Sequence, residues 1–158
     1  MKMKIQIGQV APLFTLHDTE KKEVSLSNYK GKNVLLLFFP MAFTGVCTKE
    51  LCSVRDNLSV YNNTNAVVLG ISVDSPFTLA KFKEEQNLNF TLLSDFNKEA
   101  SEAYHTSYEA FIGWMKGVSK RSAFVIDKNG IVQYAEVLEN AGELPNFEAI
   151  EATLSKLN

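Results

Sequence analysis

The sequence predicts an α/β fold: a central mixed β-sheet with helices on both faces, in a single domain spanning residues 1–158. Three observations lead there. Strand-like and helix-like stretches alternate through the middle of the chain, the order that gives a sheet covered by helices. Val34-Leu35-Leu36-Leu37-Phe38-Phe39 is a continuous apolar run, as expected of a strand buried on both faces. Near the end, two strand-like stretches flank Asp127-Lys128-Asn129-Gly130, a hairpin turn signal. A length of 158 residues fits one domain.

Each element has its own justification. The first 33 residues read as short strands and turns, with Ala11-Pro12-Leu13-Phe14-Thr15-Leu16 the most strand-like piece. Lys30-Gly31-Lys32-Asn33 is a polar turn that leads into the Val34–Phe39 strand, which Pro40 stops. Met41–Val46 is a loop containing Gly45, and Thr48 to about Tyr61 reads as a helix. Ala66–Val73 is the next buried strand, followed by a helical stretch from Ser75 to about Gln86. Thr91–Ser94 is a short strand and Lys98–Tyr104 a short helix. His105–Lys120 is a long, mostly irregular connection. Ser122–Ile126 and Ile131–Glu136 are the strands of the hairpin. Pro145 suits the first turn of a last helix that ends near Leu157. No repeat, low-complexity segment or linker divides the chain.

Composition excludes several functions. Hydrophobic residues make up 46% and charged residues 22%, so the chain can bury a core and is not intrinsically disordered. Sixteen basic residues against eighteen acidic leave a net charge of −2, with no basic excess to grip a phosphate backbone. The longest apolar run falls far short of the roughly 20 residues that span a bilayer. The N-terminus, Met1-Lys2-Met3-Lys4-Ile5-Gln6-Ile7-Gly8, is basic without the apolar stretch of a secretory signal, so the expected compartment is the cytoplasm.

The two cysteines are the informative count. A small secreted scaffold would carry more. A structural zinc site needs about four ligands, and His17 and His105 both lie far from the cysteines in sequence. Redox chemistry of a thiol pair is the leading reading. With Cys47 at zero and about 100° per residue, Leu51, Val54, Leu58 and Tyr61 fall within about 40° of it. They form one apolar stripe that would face a sheet. Cys52 falls near +140°, towards the polar side, where an exposed thiol suggests use. Cys47 can be read as core, since it is on the stripe. It can equally be read as reactive: it lies at a helix start, where free N–H groups and the dipole favour an anion, and the thiolate is the nucleophile. In an intact helix, residues five apart have Cα atoms about 8.7 Å apart. A disulfide needs them within about 7 Å, so Cys47 and Cys52 can bond only if the helix opens.

Phe39-Pro40-Met41-Ala42-Phe43-Thr44-Gly45-Val46-Cys47-Thr48-Lys49-Glu50 matches the Pro-x-x-x-Thr/Ser-x-x-Cys motif that follows a buried strand in the peroxiredoxins. Further segments agree with that family along nearly the whole chain. Gly8–Leu16 resembles its N-terminal region, Gly70-Ile71-Ser72-Val73-Asp74 the strand after the active-site helix, and Arg121–Asp127 the strand that supplies an active-site arginine. On these matches the chain resembles a peroxiredoxin.

The resemblance implies a thioredoxin-like fold with an N-terminal extension. It implies that Cys47 is the peroxidatic cysteine, that the Thr44 hydroxyl orients thiolate and peroxide, and that Pro40 shields the thiolate from water. Arg121 would reach the same pocket from a distant strand, and Glu50 would help to orient an arginine. Read singly, Pro40 could merely end a strand, Thr44 cap a turn, Arg121 be a surface arginine and Glu50 suit a first helical turn. Trp114, in Phe111-Ile112-Gly113-Trp114-Met115, could be core, pocket wall or oligomer contact. The second cysteine resembles the Q-type, bacterioferritin comigratory protein-like group, in which the later cysteine resolves the sulfenic acid. The residues around Cys47 and Phe124–Glu136 resemble the E-type alkyl hydroperoxide reductases.

The implied activity is thiol-dependent reduction of hydrogen peroxide and organic hydroperoxides. Cys47 becomes a sulfenic acid, Cys52 resolves it as an intramolecular disulfide, and a thioredoxin- or glutaredoxin-type dithiol restores the thiols. No metal, haem or flavin is called for, and neither nucleic acid nor membrane is a partner. Either a monomer or a homodimer is compatible. Two other readings share these residues. A thiol–disulfide oxidoreductase on the same fold would be expected to carry Cys-x-x-Cys, which Cys47 and Cys52 do not form. A peroxide sensor would use the same oxidation as a signal.

Overall fold

The chain from Lys4 to Leu157 is described by a computed structural model; residues 1–3, on which the reading of the N-terminus partly rests, and residue 158 lie outside the described residues. Among the described residues, seven strands form one sheet. They are β1 (Thr15–Asp18), β2 (Glu23–Ser25), β3 (Asn33–Phe38), β4 (Ala66–Ser72), β5 (Thr91–Ser94), β6 (Ser122–Ile126) and β7 (Val132–Val137). Their spatial order is β2-β1-β5-β4-β3-β6-β7. The central pairs β3–β4 and β4–β5 are parallel; β6 joins β3 antiparallel and starts the β6–β7 hairpin. The sheet is therefore mixed. Among the described residues five α-helices join it: α1 (Gly45–Asp56), α2 (Leu58–Asn62), α3 (Pro76–Gln86), α4 (Glu99–Ala103) and α5 (Phe147–Lys156).

The apolar run in β3 serves two cores by alternation. Leu35, Leu37 and Phe39 face a cluster completed by α1, α2, α3 and α5 through Cys47, Leu51, Val54, Tyr61, Phe82 and Leu154. Val34, Leu36 and Phe38 face the other cluster, with Phe14 of the N-terminal segment, Leu26 of a short 3₁₀ turn, and Ala100 and Tyr104 at α4. Tyr104 packs against Phe14, Phe38 and Phe124, and its hydroxyl donates to the Pro12 carbonyl at 2.7 Å. That bond ties the N-terminal extension to the second core.

The structure corrects several predicted boundaries. The strand read over Ala11–Leu16 contributes only Thr15 and Leu16 to β1. The residues before it run beside the hairpin instead, with Ala11 N–H donating to Gly130 and Gly8 N–H to Val132. Pro12 has no N–H for a ladder, so the regular strand begins after it. The helix read from Thr48 to Tyr61 begins at Gly45 and breaks at Asn57. Asn57 spends its side-chain amide on the Ser53 carbonyl at 2.9 Å, a local bond that competes with helix continuation. Tyr61 is buried nonetheless, in the restarted turn α2. Pro145 lies before α5, not in its first turn; Asn146 is the cap, its side chain accepting from Ala149 N–H at 3.0 Å. At the hairpin, Asp127 Oδ1 accepts from the N–H of Asn129 and Ile131, and Gly130 adopts φ 83°, where glycine is unstrained.

Candidate active site

Thr44 takes an extended conformation and acts as the N-cap of α1 through its backbone. Its carbonyl accepts from both the N–H and the hydroxyl of Thr48, at 2.9 and 2.8 Å. The N–H groups of Gly45, Val46 and Cys47 lie in the first turn, so they have no acceptor within the helix. Cys47 is the third residue of α1, and its apolar phase turns the side chain into the core: it is 1% exposed. The two readings of Cys47 are thus not exclusive. Burial and a helix start coincide.

Arg121 is the residue immediately before β6, and β6 pairs with β3. That pairing brings a side chain 74 positions away to the start of α1. Arg121 Nη2 donates to Cys47 Sγ at 3.2 Å, and Nη1 donates to Glu50 Oε1 at 2.7 Å. Nη2 also donates to the Ala141 carbonyl at 3.0 Å. Arg121 is buried, not the surface arginine that it would be by default. Glu50, three residues after Cys47, is on the same helical face and fully buried. Burial pushes its carboxyl up to about 7, against the pull of Arg121 beside it. Burial works against the charge of Arg121 too, but the neighbouring Glu50 and Cys47 hold it above the ordinary arginine value. Glu50 Oε2 and Arg121 Nε have no partner, so the pair is held by one strong bond and not as a two-pronged fork.

The approach to Cys47 is a cavity of about 250 Å³ whose walls include Pro40, Thr44, Val46, Phe111, Arg121 and Ala141. Pro40 is buried, two residues after the end of β3. The Thr44 hydroxyl lines this cavity but donates to the Met41 carbonyl at 2.9 Å, closing the loop on itself. Phe43, between them, has φ 67°, uncommon for a residue with a Cβ. Its ring is held at 5.2 Å from that of Phe82. The loop is also pinned by Asp74, whose Oδ2 accepts from Ala42 N–H at 2.7 Å and from the Ser72 hydroxyl at 2.6 Å.

Of the residues singled out from sequence, Pro40, Thr44, Cys47, Glu50 and Arg121 therefore meet at one place. Cys52 does not. It sits on the same helix but turned away, and both thiols are free. It is half-buried against the first core, not exposed as its helical phase suggests, because the end of α3 covers it. Its Sγ is 3.5 Å from Gln86 Oε1, and Arg55 Nη1 donates to the Gln86 carbonyl at 2.5 Å. Trp114 is 70% exposed on the His105–Lys120 connection, so it is not core. Two contributors were missed by sequence reasoning. Ala141 acts through a backbone carbonyl, which no residue type betrays. Asp74 stands in a segment that carried the family resemblance, and its carboxylate after a buried strand was the available signal. Among the described residues no group of three or more His, Cys, Asp and Glu could hold a metal ion.

Comparison with known proteins identifies the family. The model of the AhpC/TSA family matches residues 7–135. Alkyl hydroperoxide reductase E of Mycobacterium tuberculosis is 40% identical over 143 residues, which cover 89% of this chain and 90% of that protein. Peroxiredoxin Bcp of Escherichia coli is 37% identical over 131 residues, covering 82% and 84%. Among solved structures, peroxidoxin BcpB from Mycobacterium tuberculosis superposes with a TM-score of 0.86 at 29% identity, over 98% of this chain and 99% of that one. With a buried cysteine at a helix start and an arginine brought to it across the sheet, the chain belongs to the AhpC/TSA family: it is a peroxiredoxin of thioredoxin-like fold, a thiol-dependent peroxidase that draws on a thiol reductant.

Proposed function

We propose that Cys47 is the peroxidatic residue and that Cys52 resolves it within the same chain. The observation that carries the first part is the 3.2 Å contact between Arg121 Nη2 and Cys47 Sγ, with the guanidinium fixed from behind by Glu50. The Cys47 thiolate attacks one oxygen of the hydroperoxide. An S–O bond forms as the O–O bond breaks, and the leaving alkoxide or hydroxide takes a proton to become alcohol or water. Charge grows on the leaving oxygen in the transition state. Arg121 and the free N–H groups of Gly45 and Val46 are donors already in place for it, and such preorganised donors are worth about 10² to 10³ in rate each. Thr44, at the cavity wall, can exchange its bond to Met41 for one to the bound peroxide. Pro40 and Phe111 limit access of water.

The product is a sulfenic acid on Cys47. The Cys52 thiolate attacks its sulfur, an S–S bond forms and hydroxide leaves as water. Both thiols lie in α1, so this step requires its first turns to open. An external dithiol of thioredoxin or glutaredoxin type then supplies two electrons and two protons by thiol–disulfide exchange. The scheme needs both thiols reduced between turnovers, and we place the protein in the cytoplasm, where thiols are kept reduced; no helix among the described residues is long and apolar enough to cross a membrane. Mass spectrometry after one equivalent of hydrogen peroxide tests the scheme. A Cys47–Cys52 bond within one chain is expected. A sulfenic acid, a mixed adduct or an intermolecular dimer with Cys52 still free would remove Cys52 from it.

A further inference from the structure

We infer that Lys120 and Glu139 are positioning residues for Arg121, acting through the chain segment that carries the Ala141 carbonyl. The inference rests on the reading of Arg121 as the group that supports oxidation of Cys47. Arg121 has three acceptors: Cys47 Sγ, Glu50 Oε1 and the Ala141 carbonyl. The first two are anchored in α1. The third is on the connection that follows β7, outside any helix or strand, so its position needs a separate restraint.

The neighbour of Arg121 supplies one. Lys120 is nearly buried, and its Nζ donates to Glu139 Oε1 at 2.6 Å. The same Nζ lies 5.8 Å from the centre of the Tyr108 ring, and the Tyr108 hydroxyl donates to the Glu139 carbonyl at 3.0 Å. Glu139 is thus held at both its side chain and its backbone, two residues before Ala141. Tyr108 stacks on Phe111 with centroids 5.0 Å apart, and Phe111 and Ala141 are two walls of the Cys47 cavity. One lysine therefore joins both walls to the strand end that carries Arg121.

Such a clamp has a mechanical consequence. Arg121 Nη2 shares its donors between Ala141 and Cys47. If Ala141 drifts, the guanidinium can follow it or lose it, and the 3.2 Å contact with the sulfur changes. An exposed Glu139 carboxylate makes the clamp sensitive to ionic strength.

The test is the second-order rate of Cys47 oxidation by hydrogen peroxide, measured by stopped flow with the full chain. Lys120→Met keeps the aliphatic stem over Tyr108 and removes the charge; Glu139→Gln removes the other charge at a surface position. Each is expected to slow oxidation about 10-fold, well below the roughly 10²-fold that a misplaced reacting group can cost. Lys120→Arg, which keeps the charge and the cation over Tyr108, should retain at least half of the wild-type rate. Raising salt from about 50 to about 500 mM, where screening shortens to a few ångströms, should slow the wild type more than Lys120→Met. Arg121→Met is measured in parallel. If it is slow while both single charge variants oxidise at the wild-type rate, the clamp is overturned. A slow Lys120→Arg variant overturns it too, because the loss is then not that of the charge. Wild-type oxidation in Arg121→Met would instead refute the role of Arg121 on which the inference stands. Should Lys120→Met fail to fold, Glu139→Gln and the salt dependence of the wild type decide.

Discussion

Disulfide formation between Cys47 and Cys52 should make the protein markedly less stable, although cross-links usually do the reverse. Both cysteines lie in the single helix Gly45–Asp56, where their Cα atoms are about 8.7 Å apart and outside bonding range. Opening the stretch from Cys47 to Cys52 gives up about five main-chain hydrogen bonds, each worth about 1 kcal/mol net. Leu51 is fully buried and leaves the core with it, at about 2 kcal/mol. Against this, closing so short a loop in the unfolded chain returns about 2 kcal/mol. The oxidised protein is then about 5 kcal/mol less stable than the reduced one, and for a chain of this size its thermal midpoint should fall by about 15 °C. Calorimetry or circular dichroism on both forms measures the midpoint, and helix content should drop in the oxidised form. Amide exchange should rise across Thr48–Val54 and stay unchanged in β3 and β4. A Cys47–Cys52 bond with an undiminished midpoint and full helix content would refute the reasoning, since no intact helix can contain it.

Other expectations bear on the site itself. Cys47→Ser should abolish dithiol-dependent peroxide turnover, since a serine hydroxyl is not ionised to a useful degree; turnover close to wild type would remove Cys47 as the nucleophile. Arg121→Met should slow Cys47 oxidation by about 10²-fold in a stopped-flow assay, the loss of one preorganised donor. Glu50 predicts a pH dependence of folding. Its carboxyl is raised by burial from 4.5 to about 7, so the folded state binds the proton more tightly than the unfolded state. The stabilisation is complete below pH 4.5 and is lost as pH rises through about 7. That amounts to about 3 kcal/mol, which urea unfolding between pH 5 and 8 should reveal as a falling slope absent from Glu50→Gln.

Most of the α/β architecture was legible because it depends on pattern. The buried strand Val34–Phe39 was visible as an unbroken apolar run, and its partner Ala66–Val73 likewise. The hairpin announced itself through Asp127–Gly130. What failed was punctuation. The start of α1 at Gly45 depends on a Thr44 that caps through its carbonyl, and the break at Asn57 on a side chain that chose the Ser53 carbonyl. Neither choice leaves a periodic trace. Cys52 shows a second limit. Its helical angle gave the direction of the side chain correctly as off the main stripe, but not that the last turn of α3 would cover that direction. Phase describes one helix, and burial is decided by the next one.

The meeting of Cys47, Glu50 and Arg121 shows the same limit at the site. Spacing within α1 put Glu50 on the face of Cys47, but nothing local could bring Arg121 there; that follows from β6 pairing with β3. The cost of this arrangement argues for its use. Two ionisable groups have been taken out of water, one oxygen and one N–H remain unpartnered, and the Glu50 carboxyl is lifted to about 7 by its burial. A buried pair of this kind contributes little to stability compared with apolar residues of similar volume. What it does supply is a cation fixed beside a sulfur in a site from which water is largely removed, where each interaction with developing charge is stronger than in water. The two assays should therefore move in opposite directions. Replacing Glu50 by Gln should stabilise the fold above pH 7, by up to the roughly 3 kcal/mol that ionisation of the buried carboxyl costs there. It should at the same time slow Cys47 oxidation, because an amide holds the guanidinium with a weaker bond than a carboxylate does. A Glu50→Gln protein with an unaltered oxidation rate across pH 6–8 would show that Arg121 is positioned without it.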